Sequence, residues 1–205
     1  MKKVLQIVLA IAIVGLAYML YTQLMNPIAF EKDVKSREAV VISRIKDIRT
    51  AEQAYKQKYS KYTGSFDTLI NFVLNDSLVF ERRIGSADDS VAVARGLVKT
   101  EKFTIPAIDT VFGKRLKVED IRNLRYIPYT DNKEEFLLSA GLLTTESKVV
   151  VPVFEAKAPY KLFLGDMDEQ MVTNLIYDAK EVYKKYPGIK VGDMEQATND
   201  AGNWE

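Results

Sequence analysis

The apolar run near the N-terminus, from Val4 to Met25, is the feature that most constrains this chain. It reads VLQIVLAIAIVGLAYMLYTQLM and carries no charged residue over about 22 positions. An α-helix needs about 20 such residues to cross the hydrocarbon layer of a bilayer. The run therefore predicts a transmembrane helix that contacts membrane lipid through residues 4–25.

The residues that flank this run predict its orientation. Lys2 and Lys3 precede it, and Tyr18 and Tyr21 lie near its far end. Basic residues favour the cytoplasmic side, and tyrosines favour the interface. Three basic residues between positions 32 and 37 weaken the asymmetry, but a long following domain is translocated largely regardless of its charge. We expect a single-pass protein of the cell inner membrane, with a cytoplasmic N-terminus and a periplasmic C-terminal domain.

A cleaved signal peptide is the alternative interpretation, with Gly15-Leu16-Ala17 as the processing site. The apolar run continues through Tyr18-Met19-Leu20 without the polar break that such a site normally has. The sequence therefore favours an uncleaved signal anchor. A lipoprotein is excluded because the chain has no cysteine.

The composition excludes several classes of chemistry. The chain contains no histidine and no cysteine, so Ser-His-Asp catalysis, Cys-His catalysis and ordinary zinc sites are ruled out. The net charge of +1 and the short, balanced basic clusters give no field for nucleic acid, and none is expected as a partner. We predict no catalytic, cofactor-binding or metal-binding residues and no cofactor. A hydrolase that uses carboxylates alone stays open as a minor alternative.

The charged stretch after the apolar run predicts a continuing helix. Residues 31–38 are polar nearly all round apart from Val34, and Glu31 and Lys35 form a favourable pair four residues apart. From Val41 onward, apolar residues recur at helical spacings and predict a face buried in a domain. They are Val41, Ile45, Ile48, Tyr55 and Tyr59. We expect a transmembrane anchor over 1–26, a solvated helical neck over 27–40 and an extracytoplasmic α+β domain over 41–205.

The end of this helix and the loop after it resemble type IV pilins and type II secretion pseudopilins. The residues that carry the resemblance are IRTAEQAY at 48–55 and YSKYTGSFDTL at 59–69. The resemblance covers about a third of the chain and implies an N-terminal transmembrane helix that continues into an amphipathic helix packed on an antiparallel sheet. The chain departs from the family at the processing site, where Lys2 and Lys3 precede Val4. Cleavage by a prepilin peptidase is therefore not expected.

A second resemblance is to a family of single-span membrane proteins from Bacteroidetes. It rests on the core RIKDIRTAEQAY, on GSFDTLINFV and on the GNWE ending. It implies a membrane compartment and no particular activity.

The remaining elements follow from local patterns. Residues 65–76 predict a short helix with Leu69, Phe72 and Val73 facing inward. The stretches 135–143 and 148–155 around the turn 144–147 predict a β-hairpin. Residues 118–124 predict a helical turn, residues 168–186 a second helix, and residues 189–192 a last strand. The inward stripe of the second helix is expected to be Met171, Leu175, Ala179, Val182 and Tyr186.

Several polar clusters admit more than one interpretation. The polar stretch that contains Asp88 and Asp89 predicts a loop, and the two residues could bind a cation, although adjacent residues of an extended segment point to opposite faces. Residues 165–169 could bind a metal, but acidic residues also cap helices and favour their N-termini. Residues 199–203 could supply oxygens to calcium but lack a specific spacing. Trp204, the only tryptophan, could dock on the domain or anchor a partner.

These patterns favour a membrane-anchored structural or assembly subunit of a cell-envelope complex without catalytic activity. Its expected partners are other envelope membrane proteins or further copies of itself. The alternative is an extracytoplasmic binding module for a lipid, peptide or cell-wall ligand. A groove lined by Tyr126, Tyr129 and Tyr160 would favour that alternative.

Overall fold

The computed structural model describes residues 2–84 and 99–205, and it begins with one helix of 58 residues, α1 (Lys2–Tyr59). Pro27 lies inside this helix. Because proline has no backbone N–H, one i to i−4 hydrogen bond is missing at this turn. The helix nevertheless continues, so no second helix begins at Asn26-Pro27.

The first half of α1 makes no apolar contact with the rest of the chain. All the large apolar side chains from Ile7 to Ile28 are exposed. Among the described residues, this is the one helix that is long and apolar enough to cross a membrane.

The second half of α1 is buried on one face, as the spacing predicts. Val41, Ile45, Ile48 and Tyr55 are buried. Tyr59 is the exception, because its ring is partly exposed and its hydroxyl donates to Asp76 Oδ2 at 2.6 Å.

Four short helical elements and a hairpin follow α1. The helices are α2 (Phe66–Asn75), α3 (Ala107–Val111), α4 (Val118–Arg122) and a 3-10 turn (Asn123–Arg125). The predicted helix over 65–76 and the predicted turn at 118–124 are confirmed. Strands β1 (Ser77–Ile84) and β2 (Lys99–Pro106) pair antiparallel.

The second sheet has three antiparallel strands in the order β3 (Leu137–Thr144), β4 (Val150–Pro159) and β5 (Gly188–Gly192). The predicted hairpin and the predicted last strand are both confirmed. Strands β4 and β5 contact the buried half of α1. The chain is therefore α+β, with a long N-terminal helix and two small antiparallel sheets.

Gly192 ends β5 where two backbones approach closely. Its φ is +70°, and a Cβ there would lie 2.1 Å from the carbonyl oxygen of Phe154. Only glycine fits this position. A side chain would be strained by the left-handed backbone conformation and would also clash with the neighbouring strand. The C-terminal tail, residues 200–205, then returns beside β5 through hydrogen bonds from Gly192 N to Ala201 O and from Asn203 N to Lys190 O.

The second long helical segment is less regular than the sequence predicts. After α5 (Tyr160–Phe163), α6 runs over Glu169–Tyr177 and passes into a π-helical turn at Asp178–Val182. The predicted inward stripe is wrong at Val182, which is 61% exposed, and Val172 is buried instead. The π-helical turn has more residues per turn than an α-helix. A stripe predicted at 3.6 residues per turn therefore no longer matches the buried face beyond Tyr177.

The prediction that residues 31–38 form a solvated neck is wrong for one face of the helix. Val34 is only 5% exposed, and Phe30 packs against the core. Arg37 and Glu38 bind residues of the domain. The sequence did not indicate these contacts, because two isolated apolar residues and two charged residues make them and no regular apolar stripe is present.

Candidate functional site: a groove beside the long helix

Arg37 fastens α1 to the segment after α5. Its guanidinium donates to the carbonyl oxygen of Phe163 at 2.9 Å and forms a two-pronged ion pair with Asp166. The ring of Tyr129 covers the guanidinium at 4.9 Å. The hydrogen bonds from Arg37 lower the pKa of the Asp166 carboxyl. Planar, bidentate contacts of this kind fix orientation as well as distance.

Glu38 makes the next contact along the helix. The hydroxyl of Tyr160 donates to Glu38 Oε1 at 2.7 Å. Burial, and then this hydrogen bond, raise the pKa of the Tyr160 hydroxyl above its ordinary value. Neighbouring residues of α1 are thus tied to the two ends of α5 and to Asp166 just beyond it.

A groove of about 550 Å³, which we call the neck groove, opens beside these contacts. Its floor and walls come from α1, α5, α6 with its π-turn, β5 and the C-terminal tail. Its main lining residues are Glu31, Glu38, Ile42, Tyr160, Asp178, Tyr183, Tyr186 and Trp204. Burial raises the pKa of the Tyr186 hydroxyl to about 12. The groove thus combines aromatic faces with a few carboxylates, a composition typical of binding surfaces.

Trp204 docks on the domain at one end of the groove. Its indole folds back over Gly202, where a Cβ would lie 2.4 Å from the ring. The guanidinium of Arg49 lies 6.0 Å from the ring centroid. The indole Nε1 is buried and has no hydrogen-bond partner in the structure. The docking interpretation of Trp204 is therefore confirmed.

The three tyrosines whose common groove would favour a binding module do not line one groove. Tyr160 lines the neck groove, whereas Tyr129 covers Arg37 and Tyr126 pairs with Glu135 in an isolated β-bridge. Tyr183 and Tyr186 take the places expected for the other two. Helical spacing had assigned Tyr186 to the inward stripe and had given Tyr183 no role.

A second polar cluster surrounds Glu52, on the buried face of α1. Glu52 is fully buried, its Oε2 accepts a hydrogen bond from Thr63 N at 3.0 Å, and its Oε1 has no partner. Burial raises the pKa of this carboxyl to about 8, so it is mostly protonated at neutral pH. Sequence analysis missed Glu52. Glu52 lies four residues after Ile48 and three before Tyr55, which places it on the apolar stripe. This spacing was the sequence signal that could have predicted its burial.

The last turns of α1 hold the C-terminal tail. Arg49 forms an ion pair with Glu205 at 2.7 Å, and Gln53 donates to Asp200 Oδ2 at 3.2 Å. The hydroxyl of Tyr62 donates to the same Asp200 oxygen at 2.6 Å. These contacts position Trp204 by fixing the residues on either side of it.

A cavity of about 190 Å³ is lined by both Asp193 and Asp200. Burial opposes ionisation of Asp193, but hydrogen bonds from Lys190 and two backbone amides outweigh it and lower the pKa. The Oδ2 atom of Asp200 is occupied by Tyr62 and Gln53. Acid–base catalysis needs one carboxyl with a raised pKa beside one that stays ionised. The lowered pKa keeps Asp193 ionised, so Asp193 is not the protonated carboxyl of such a pair.

The residues proposed as metal ligands have other partners. Asp168 caps α6, because its Oδ1 accepts a hydrogen bond from Met171 N at 2.8 Å, and Asp166 binds Arg37. The capping interpretation of residues 165–169 is confirmed. Asp88 and Asp89 lie outside the described residues. Over 2–84 and 99–205, no three acidic side chains converge as a metal-binding group.

Comparison of the chain with family models, with curated proteins and with solved structures gave no match. Function has to be inferred from the long helix, the neck groove and the Glu52 cluster.

Proposed function

We propose that this chain is a membrane-anchored structural or assembly subunit of a cell-envelope complex, without catalytic activity. The observation that carries the proposal is the division of α1. Its first half exposes every large apolar side chain from Ile7 to Ile28, and its second half forms part of the domain core. Burying one large apolar side chain is worth about 1.5–3 kcal/mol. Lipid, or the anchors of other subunits, would cover this surface favourably.

The contacts at the neck support a structural role. Arg37 and Glu38 bind the domain within one turn of Val34, which is itself buried. The domain is therefore fixed to the helix that enters the membrane, with no flexible linker at residues 34–59. Such a rigid connection transmits the position of one anchor to its domain, as an assembly subunit requires.

Compartment and topology follow from the charge distribution. Lys2 and Lys3 favour a cytoplasmic N-terminus, which would leave the α+β domain in the periplasm. The pilin-like resemblance at residues 48–69 is consistent with this arrangement, since pilins pack the second half of such a helix on an antiparallel sheet.

A second candidate function is a binding module for a lipid, peptide or cell-wall ligand. The neck groove favours it, because the groove is lined by the aromatic rings of Tyr160, Tyr183 and Tyr186 together with the carboxylates of Glu31 and Glu38. A ligand with hydrogen-bond donors on an apolar body would match this lining.

Photo-cross-linking in the native membrane tests the structural proposal. A benzoylphenylalanine placed at Ile13, in the exposed half of α1, should give a protein adduct of defined mass. The same probe at Leu142, which is 71% exposed on β3, is the matched control and should give less adduct. We expect the adduct because subunits of a membrane complex pack anchors side by side.

Native mass spectrometry of the detergent-extracted chain separates the two functions. A mass that corresponds to several chains, or to the chain with a protein partner, supports the assembly role. A monomer that carries a small bound molecule, lost on Tyr160→Ala substitution, supports the binding module. An unmodified monomer that gives no adduct from Ile13 would contradict both.

A further inference from the structure

The segment from Tyr177 to Lys185 presents apolar and basic side chains to solvent on the edge of the domain. Tyr177 is 61% exposed, Val182 61% and Tyr183 66%. Lys180, Lys184 and Lys185 lie among them, also exposed. A domain normally turns a valine of an amphipathic helix inward. In this segment Val182 faces solvent instead.

The backbone of the segment accounts for this exposure. Tyr183 N donates to Asp178 O, five residues back, at 2.9 Å, and Lys185 N donates to Ala179 O, six residues back, at 2.8 Å. Both hydrogen bonds span more residues than the i to i−4 bond of an α-helix. π-Helical turns are rare and are frequently found at functional sites. Here the wide turn removes Val182 from the buried stripe and adds it to the outer surface.

The position of the segment along α1 brings it close to the anchor. Asp178 and Tyr183 line the neck groove together with Glu31. Glu31 lies six residues beyond Met25, which is about 9 Å along an α-helix. The headgroup region of one leaflet is about 5–8 Å thick. If Met25 marks the edge of the hydrocarbon, the groove begins at the outer limit of the headgroups.

We propose that the Tyr177–Lys185 segment rests on the anionic headgroups of the membrane in which α1 is anchored. This inference deepens the proposed function and rests on the anchor assigned there. Tyrosine suits the interface because its ring is apolar and its hydroxyl is polar. Each lysine close to an anionic surface contributes about 1 kcal/mol.

The charge of the segment favours lipid over a second copy of the chain. Three lysines stand against Asp178 and Glu181, which gives a net charge of +1 for residues 177–185. In a two-fold contact the same patch meets itself, so two surfaces of net positive charge would face each other. Lys184 is paired with Glu181 at 3.2 Å, and an anionic bilayer offers the opposite charge to Lys180 and Lys185.

Spin labels on the full-length chain test the proposal. The chain has no cysteine, so Val182→Cys, Leu142→Cys and Ile13→Cys each give a single labelling site. The labelled proteins are reconstituted in vesicles of phosphatidylethanolamine and phosphatidylglycerol. Collisions with oxygen, which concentrates in lipid, and with a water-soluble nickel chelate then report the depth of each label.

We expect the Val182 label to report the headgroup region and the Leu142 label to report water. Lys180→Gln should lower the ratio of membrane-bound to free Val182 label about fivefold, which corresponds to the loss of about 1 kcal/mol. An aqueous signal at Val182 with a hydrocarbon signal at Ile13 would overturn the inference and leave the anchor in place. Spin–spin broadening at Val182 would assign the surface to a second copy and also overturn it. An aqueous signal at Ile13 would defeat the anchor itself.

Discussion

Replacing Phe154 by alanine is expected to lower the free energy of unfolding of the domain by about 3–5 kcal/mol. Phe154 is fully buried on β4, and its ring centroid lies 4.8 Å from that of Tyr62. The substitution removes the ring and leaves a cavity between α1, β4 and the loop at residues 60–65. Urea unfolding in detergent, followed by the fluorescence of the single Trp204, measures the loss.

Phe103→Ala is the matched control for this measurement. Phe103 is 44% exposed on β2 and stacks on Phe80, at 5.9 Å. Its removal should cost about 1 kcal/mol, the value of one aromatic pair. Equal losses for the two variants would show that the buried half of α1 and the three-stranded sheet do not form the main core.

Glu52 is expected to make the domain less stable as the pH rises. The pKa of its carboxyl is about 8 in the folded chain, against an ordinary value of 4.5. The folded state therefore holds a proton that the unfolded state has lost between these two values. Stability is fully present below about pH 4.5 and falls by up to about 1.4 kcal/mol per pH unit until about pH 8.

Glu52→Gln should remove this dependence, because the amide is neutral at every pH and its oxygen can still accept from Thr63 N. We expect the variant and the natural chain to be similar near pH 5 and the variant to be more stable by a few kcal/mol at pH 9. Glu146→Gln, in the exposed turn between β3 and β4, is the control and should change neither. Parallel stability curves for the Glu52 variant and the natural chain would show that this carboxyl is ionised when folded.

The elements that the sequence predicts best are those with one dominant local signal. The hairpin β3–β4 combines a leucine-rich strand and a valine-rich strand with a polar turn, and α2 combines a regular stripe with polar flanks. Both were confirmed because their local preference and their burial agree. The stripe from Val41 to Tyr55 was predictable for the same reason.

The features that were missed depend on contacts between distant parts of the chain. Arg37 and Asp166 are separated by 129 residues, so no local pattern indicates that the neck is attached to the domain. Tyr62 and Asp200 are separated by 138 residues, and the tail is held through them. The π-turn at Asp178–Val182 changed the exposure of Val182, and no glycine or proline in this segment indicates such a turn.

We propose that the first half of α1 anchors the chain in a membrane and continues without a break into the domain. Flotation of the full-length chain with phospholipid vesicles after an alkaline wash tests it most directly. The natural chain should float with the vesicles. Ile13→Arg, which makes insertion of the helix less favourable by about 3–4 kcal/mol, should shift it toward the unbound fraction. A natural chain that stays in the unbound fraction as a folded monomer would contradict the account.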